Sequence, residues 1–171
     1  LIFWGDYFDE LATTLLTATL REAGLSVRVV GVGGRYASGR YGVTIRADLG
    51  ISDTVKLGDR VACVVLPCQY SEYSQIANDP RLQNFLRQLF AAGKLFVIHQ
   101  ELQELCRSWS QAQSALPSSP TPWVYPEGDA LPLFAGTVAD RLSGRSKDAQ
   151  HAHVRLHHQL FPSHLPQFAA P

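Results

Sequence analysis

Short apolar runs alternating with stretches of helical periodicity predict a doubly wound, mainly parallel α/β sheet. Three observations carry this. Residues 1–4 (LIFW), 61–66 (VACVVL) and 95–98 (LFVI) are almost continuously apolar, as strands covered on both faces must be. Between them, apolar residues recur three and four apart, the spacing of one helix face. Glycine, proline and aspartate stand at the joints, where chain direction must change.

Each element follows in order. After residues 1–4, Gly5-Asp6 breaks the strand, and Phe8, Leu11, Leu15, Leu16, Leu20 and Ala23 repeat helically up to Gly24, placed as a C-cap. Residues 26–32 (SVRVVGV) read as a second strand stopped by Gly33-Gly34, so the first 32 residues form a βαβ unit with a right-handed crossover. Residues 35–42 (RYASGRYG) read as a polar loop, residues 43–45 as a short strand, and the stretch to Asp59 as turn-rich. Residues 61–66 form a central strand closed by Pro67-Cys68. Asp79-Pro80 supplies an N-cap and a proline at the first helical position, and Leu82, Phe85, Leu86, Leu89 and Phe90 give that helix its apolar face before Gly93. Residues 95–98 form the next strand, His99 stands at its end, and residues 100–108 read as helical. Residues 112–122 hold three prolines and four serines or threonines, a loop composition. Residues 123–125 read as a strand and 133–142 as a helix stopped by Gly144.

This divides the chain into an α/β domain over 1–144, with a variable Pro/Ser-rich loop at 107–122, and a His/Pro-rich arm at 145–171. The start is unusual: no methionine occurs and the first residues read as a strand under way, so we expect the native start to be missing. Fifteen basic and fifteen acidic residues cancel, which gives no nucleic-acid footprint. No apolar run reaches the length of a membrane span. Cys63, Cys68 and Cys106 have neither zinc spacing nor the density of a disulfide scaffold, so a reducing compartment, cytoplasm or organelle interior, is expected. No cofactor is indicated. His151, His153, His157 and His158 have helical spacing but no matching Cys or carboxylate cluster, and no metal site is assigned. Gly31 to Gly34 (GVGG) lacks the remainder of a nucleotide fingerprint.

In a doubly wound sheet, ligands bind at the carboxyl ends of the strands where strand order reverses. That directs attention to residues 5–10, 67–70 and 99–101. The segments LIFWGDYFDEL, REAGLSVRVVGVGG, YGVTIRADLGISD, VACVVLPCQY and AGKLFVIHQELQEL, with LPLFAGTVADRLSGR near the end, resemble in order and spacing the ThiJ/PfpI superfamily, relatives of class I glutamine amidotransferases. The resemblance implies a flavodoxin-like three-layer sandwich with a shortened C-terminal part. It also implies that Glu10 takes the position of the carboxylate that contacts the family's reactive cysteine, and that His99 stands where that cysteine would be.

A thiol at such an elbow is activated by the helix N-terminus. The same positive helix end disfavours imidazolium, which predicts a neutral His99, a poor replacement for a covalent thiolate. Gln100 and Glu101 replace small residues beside it, and no counterpart appears for the family's triad histidine. The leading expectation is a non-catalytic domain serving as an interaction or structural module, as a homodimer or with a protein partner in a larger assembly. The alternative is a thiol-dependent small hydrolase, glyoxalase-like enzyme or redox sensor using Cys68, His99 and Glu10, with Gly5, Asp6, Pro67, Gln69, Gln100 and Glu101 around the pocket. A non-reacting small-ligand sensor is a third. His99 is expected to hydrogen-bond Glu10, Cys63 and Cys106 to fill core, and Tyr36, Tyr41, Tyr70, Tyr73 and Trp109 either to form an adhesive surface or to cap the sheet.

Overall fold

The computed structural model describes residues 1–111 and 121–144; the C-terminal arm, its histidines and most of the 112–122 loop lie outside them. Six parallel strands form the main sheet in the order β5-β2-β1-β6-β7-β8: β1 Ile2–Trp4, β2 Val29–Gly31, β5 Leu49–Gly50, β6 Cys63–Leu66, β7 Leu95–Ile98 and β8 Trp123–Val124. A small antiparallel hairpin, β3 Tyr36–Ser38 with β4 Thr44–Arg46, stands apart, pairing Tyr36 with Arg46 and Ser38 with Thr44.

Alternation of side chains along the strands makes the three layers. Ile2, Cys63, Val65 and Val97 point to one face, where α1 (Glu10–Glu22) and α6 (Leu131–Ser143) pack through Ala12, Leu16, Leu20, Phe134, Ala135 and Val138. Phe3, Val64, Leu66, Phe96 and Ile98 point to the other, against α4 (Pro80–Ala91) and α5 (Gln103–Gln111). Cys63 and Cys106 are both buried core residues. The helix stops are the expected ones: Asp79 caps α4 by accepting from the Arg81 N–H, and Gly144 ends α6 in the left-handed region at φ 68°.

Several expectations need correction. The strand read over 26–32 pairs only at Val29–Gly31. The stretch read as a polar loop contains β3, and the turn-rich stretch contains β5 and the four-residue helix α2 (Ile51–Thr54), followed by a 3-10 segment, Val55–Arg60, kinked at Gly58. A helix unread in the sequence, α3 (Tyr70–Ile76), follows β6. Residues 107–111, placed in the variable loop, are the last part of α5.

Phe90 anchors the second layer, meeting Phe96 and Trp109 edge-to-face at centroid distances of 5.3 and 5.6 Å. Phe90→Ala should cost about 3–5 kcal/mol, the range for truncating a buried aromatic. Urea denaturation followed by tryptophan fluorescence would measure it; a loss below about 1 kcal/mol would refute this packing.

Candidate functional site

Strand order reverses between β1 and β6, and the residues following β1, β6 and β7 are the ones the sequence singled out. The chain leaves β1 through Gly5, where an added Cβ would strike the Ile76 side chain. Asp6 Oδ1 accepts the Ser38 N–H at 3.1 Å. Tyr7 takes φ 65°, the only positive φ outside glycine among the described residues. Such backbone costs about 1–3 kcal/mol; it is held because the Tyr7 N–H donates to Ser38 O at 2.7 Å while Tyr7 O accepts from Arg40 Nε at 3.3 Å.

Asp9 then joins three elements. Its N–H donates to Pro67 O at 2.8 Å, its Oδ1 caps α1 by accepting the Ala12 N–H at 2.9 Å, and its Oδ2 accepts the Tyr125 hydroxyl at 3.3 Å. Glu10, buried at the first position of α1, turns its carboxylate to the hairpin. Oε1 accepts the Val43 N–H at 2.8 Å, and the Tyr41 N–H lies 3.0 and 3.1 Å from the two oxygens. Gly39 packs so closely on Glu10 that a Cβ there would collide with it.

Cys68 is 2% exposed. Burial pushes its thiol up from 9.0 to about 12, the Glu72 carboxylate adds to that, and the Arg40 guanidinium opposes it. Arg40 Nη2 and Glu72 Oε2 lie 3.5 Å apart, and the same Glu72 oxygen accepts the Gln69 N–H at 2.7 Å to start α3.

His99, 3% exposed, follows β7 in ordinary extended backbone, φ −68° and ψ 150°, and caps the 3-10 turn Gln100–Leu102. Its Nδ1 accepts the Glu101 N–H at 3.4 Å and its Nε2 lies 3.5 Å from Glu127 Oε1. With Nδ1 accepting, Nε2 is assigned the proton that faces the carboxylate. The expected bond to Glu10 is therefore replaced by Glu127, and the ring rests edge-on against Tyr125 at 5.7 Å. Glu101 Oε2 accepts the Tyr70 N–H at 3.1 Å, tying α3 to the end of β7. Gln100 is exposed, Gln69 half-buried and Pro67 buried.

The sequence-selected residues thus surround one group of strand ends, yet no hydrogen bond among the described residues joins Glu10, Cys68 and His99 to one another. The reading missed Asp9, Arg40, Glu72, Tyr125 and Glu127. Two signals were available: Asp9, a favoured N-cap residue, stands between Phe8 and Leu11 at the start of the helical run, and Gln69 with Glu72 has capping-box spacing. Among the described residues, no group of three or more His, Cys, Asp or Glu side chains is placed to hold a metal ion. None of their helices is long and apolar enough to cross a membrane.

This order, a parallel sheet reversing between β1 and β6 with its polar residues at the strand ends, defines a doubly wound α/β protein. The DJ-1/PfpI family profile matches residues 1–98, and the chain belongs to that family. Among solved structures it is similar to oxidized Toxoplasma gondii DJ-1, with TM-score 0.67 and 16% identity over 95% of this chain and 97% of that one. Drosophila melanogaster DJ-1beta gives TM-score 0.60 and 16% identity over 91% and 95%. A two-domain Anabaena variabilis protein, containing DJ-1/ThiJ/PfpI-like and ferritin-like domains, gives 0.64 and 15% over 91% of this chain and 53% of that one. No curated protein sequence matches at a significant level.

Two outcomes follow. Gly39→Ala should destabilise the domain by about 1–3 kcal/mol, the cost of overpacking, and should cost less in a Glu10→Ala background, where the obstructing side chain is gone. A double-mutant cycle in urea checks this; additive losses would refute the clamp. The three thiols stand at about 11 for Cys63 and about 12 for Cys68 and Cys106 in the fold, against 9.0 ordinarily. Raised folded values mean that their contribution is complete below pH 9 and is lost as pH climbs toward 12. Stability should therefore fall from about pH 9, less steeply in Cys68→Ala, and native Cys68 should resist alkylation at pH 8. Equal slopes would refute the assignment of Cys68.

Proposed function

We propose that this domain is a non-catalytic member of its family that works as an interaction module, with His99 at the place of the family's nucleophilic cysteine. The observation that carries this reading is the closed crevice: His99 and Cys68 are 3% and 2% exposed. The groups a reaction would use are engaged elsewhere. The Glu10 carboxylate holds the hairpin, His99 Nδ1 caps its own turn, and burial keeps the Cys68 thiol protonated at neutral pH. A covalent thiol mechanism needs an accessible thiolate.

The surface favours association. Tyr7, Leu11, Tyr41 and Val43 are 60%, 55%, 89% and 51% exposed. Their segments are tied together: the Tyr41 and Val43 N–H groups bond Glu10, next to Leu11, and Arg40 bonds Tyr7 O. Of the aromatic residues considered adhesive, Tyr36, Tyr41 and Tyr70 are exposed, whereas Tyr73 and Trp109 belong to the core. Exposed tyrosines beside aliphatic residues suit an interface centre. A second copy is the simplest occupant, since one self-complementary patch closes a two-fold dimer. The Anabaena neighbour carries such a domain within a larger chain, a precedent for a module in an assembly. Three free, buried thiols accord with a reducing compartment.

Sedimentation velocity tests the reading. The wild-type chain should sediment as a dimer, and Leu11→Asp with Tyr41→Asp should weaken association by about thirtyfold, some 2 kcal/mol, without lowering the monomer's helical signal. A monomeric wild-type chain would remove self-association. Thiol-dependent turnover abolished by Cys68→Ser would instead establish the hydrolase, glyoxalase-like or redox alternative using Cys68, His99 and Glu10.

A further inference from the structure

Three arginines line one hollow at the β5 edge of the sheet, which shares no lining residue with Glu10, Cys68 or His99. The hollow, about 240 Å³, is lined by Arg28, Arg35, Arg46, Asp48, Gly50 and Asp53, among others. Both carboxylates already have cations. Asp48 Oδ2 accepts from Arg21 Nη2 at 3.0 Å and from the Val29 N–H at 2.9 Å, and Asp53 Oδ1 accepts from Lys56 Nζ at 3.1 Å. By contrast, Arg28, Arg35 and Arg46 have no ion pair or side-chain hydrogen bond among the described residues.

The positions of these arginines are fixed by the backbone. Arg46 is paired with Tyr36 in the hairpin, Arg35 O accepts the Ala47 N–H at 2.7 Å, and the Asp48 N–H donates to Val29 O at 2.8 Å, one residue from Arg28. Three chain segments therefore bring three exposed cations to one place, where water screens their repulsion and an entering anion would be attracted by all three. Guanidinium forks match phosphoryl oxygens and can bind two at once. The volume lies below that of sites for drug-sized ligands, about 300–1,000 Å³, and suits a phosphoryl group bearing a few further atoms. Asp48 and Asp53 retain lone pairs beside it that can accept hydroxyl protons.

We propose that this hollow binds a small, hydroxyl-bearing phosphomonoester, its phosphoryl group held by Arg28, Arg35 and Arg46 and its hydroxyls by Asp48 and Asp53. The proposal is independent of whether the crevice is catalytic.

The test is a titration of the full chain with glycerol 3-phosphate, and separately with inorganic phosphate, at constant ionic strength, followed by amide chemical shifts. Saturable shifts confined to residues around 28, 35 and 46–53 are expected, with the phosphomonoester binding more tightly. Arg35→Gln and Arg46→Gln should each weaken it at least about fivefold, water screening keeping the loss modest at exposed sites, with unchanged melting temperatures. Equal binding of inorganic phosphate would overturn the phosphomonoester assignment. Absence of saturable shifts, or shifts that survive both substitutions, would overturn the site.

Discussion

Asp9 is the residue on which the strand-end architecture depends. One amino acid supplies the cap of α1, a main-chain bond to Pro67 at the end of β6 and an acceptor for Tyr125 just beyond β8. A cap alone contributes about 1 kcal/mol. Asp9 matters more because its bonds span positions up to 116 residues apart in the chain, so each holds in place the partners of the others. Burial and the neighbouring carboxylate both push the Tyr125 phenol above its ordinary range, which keeps the hydroxyl protonated and donating.

The next residue works in the opposite direction. Asp9 binds inward, whereas Glu10 binds outward to the hairpin, and its fit is possible because Gly39 offers no Cβ. Arg40, one residue further, reaches both Tyr7 O and Glu72. Glu10 and Arg40 together therefore fasten the hairpin to α1, to the strained Tyr7 turn and to α3. The Glu10 and Glu72 carboxylates and the Arg40 guanidinium all take part in this fastening, and Cys68 and His99 are both buried. That is the physical basis for reading the site as closed.

The parts of the fold legible in the sequence were those set by local signals. β6 and β7 are buried on both faces and so announce themselves as apolar runs; α4 announces itself by Asp79-Pro80 and five buried apolar residues. Helix α3 did not, because in YSEYSQI only Tyr73 is buried, and β3 did not, because Ala37 alone of its three residues is. Short elements held by capping and pairing leave too little periodicity to read. That residues 5–10, 67–70 and 99–101 follow strands of one parallel sheet was legible from the alternation of strands and helices. The wiring of these segments was not: Glu10 to Val43 and His99 to Glu127 are bonds across 33 and 28 residues, and residue type alone does not say which acceptor a donor will reach.

Charge presents the same problem at larger scale. Fifteen basic and fifteen acidic residues balance, and that balance gave no nucleic-acid footprint. Folding does not preserve it locally. The hairpin and the β5 edge bring Arg28, Arg35 and Arg46 around one hollow whose own carboxylates are already matched by Arg21 and Lys56. Net charge governs long-range steering, which ionic strength screens beyond about 8–10 Å, whereas recognition of a small anion depends on the few groups within reach of it. A neutral chain can therefore carry a locally cationic surface, and only the spatial assignment of each acid to its own base reveals which cations are left over.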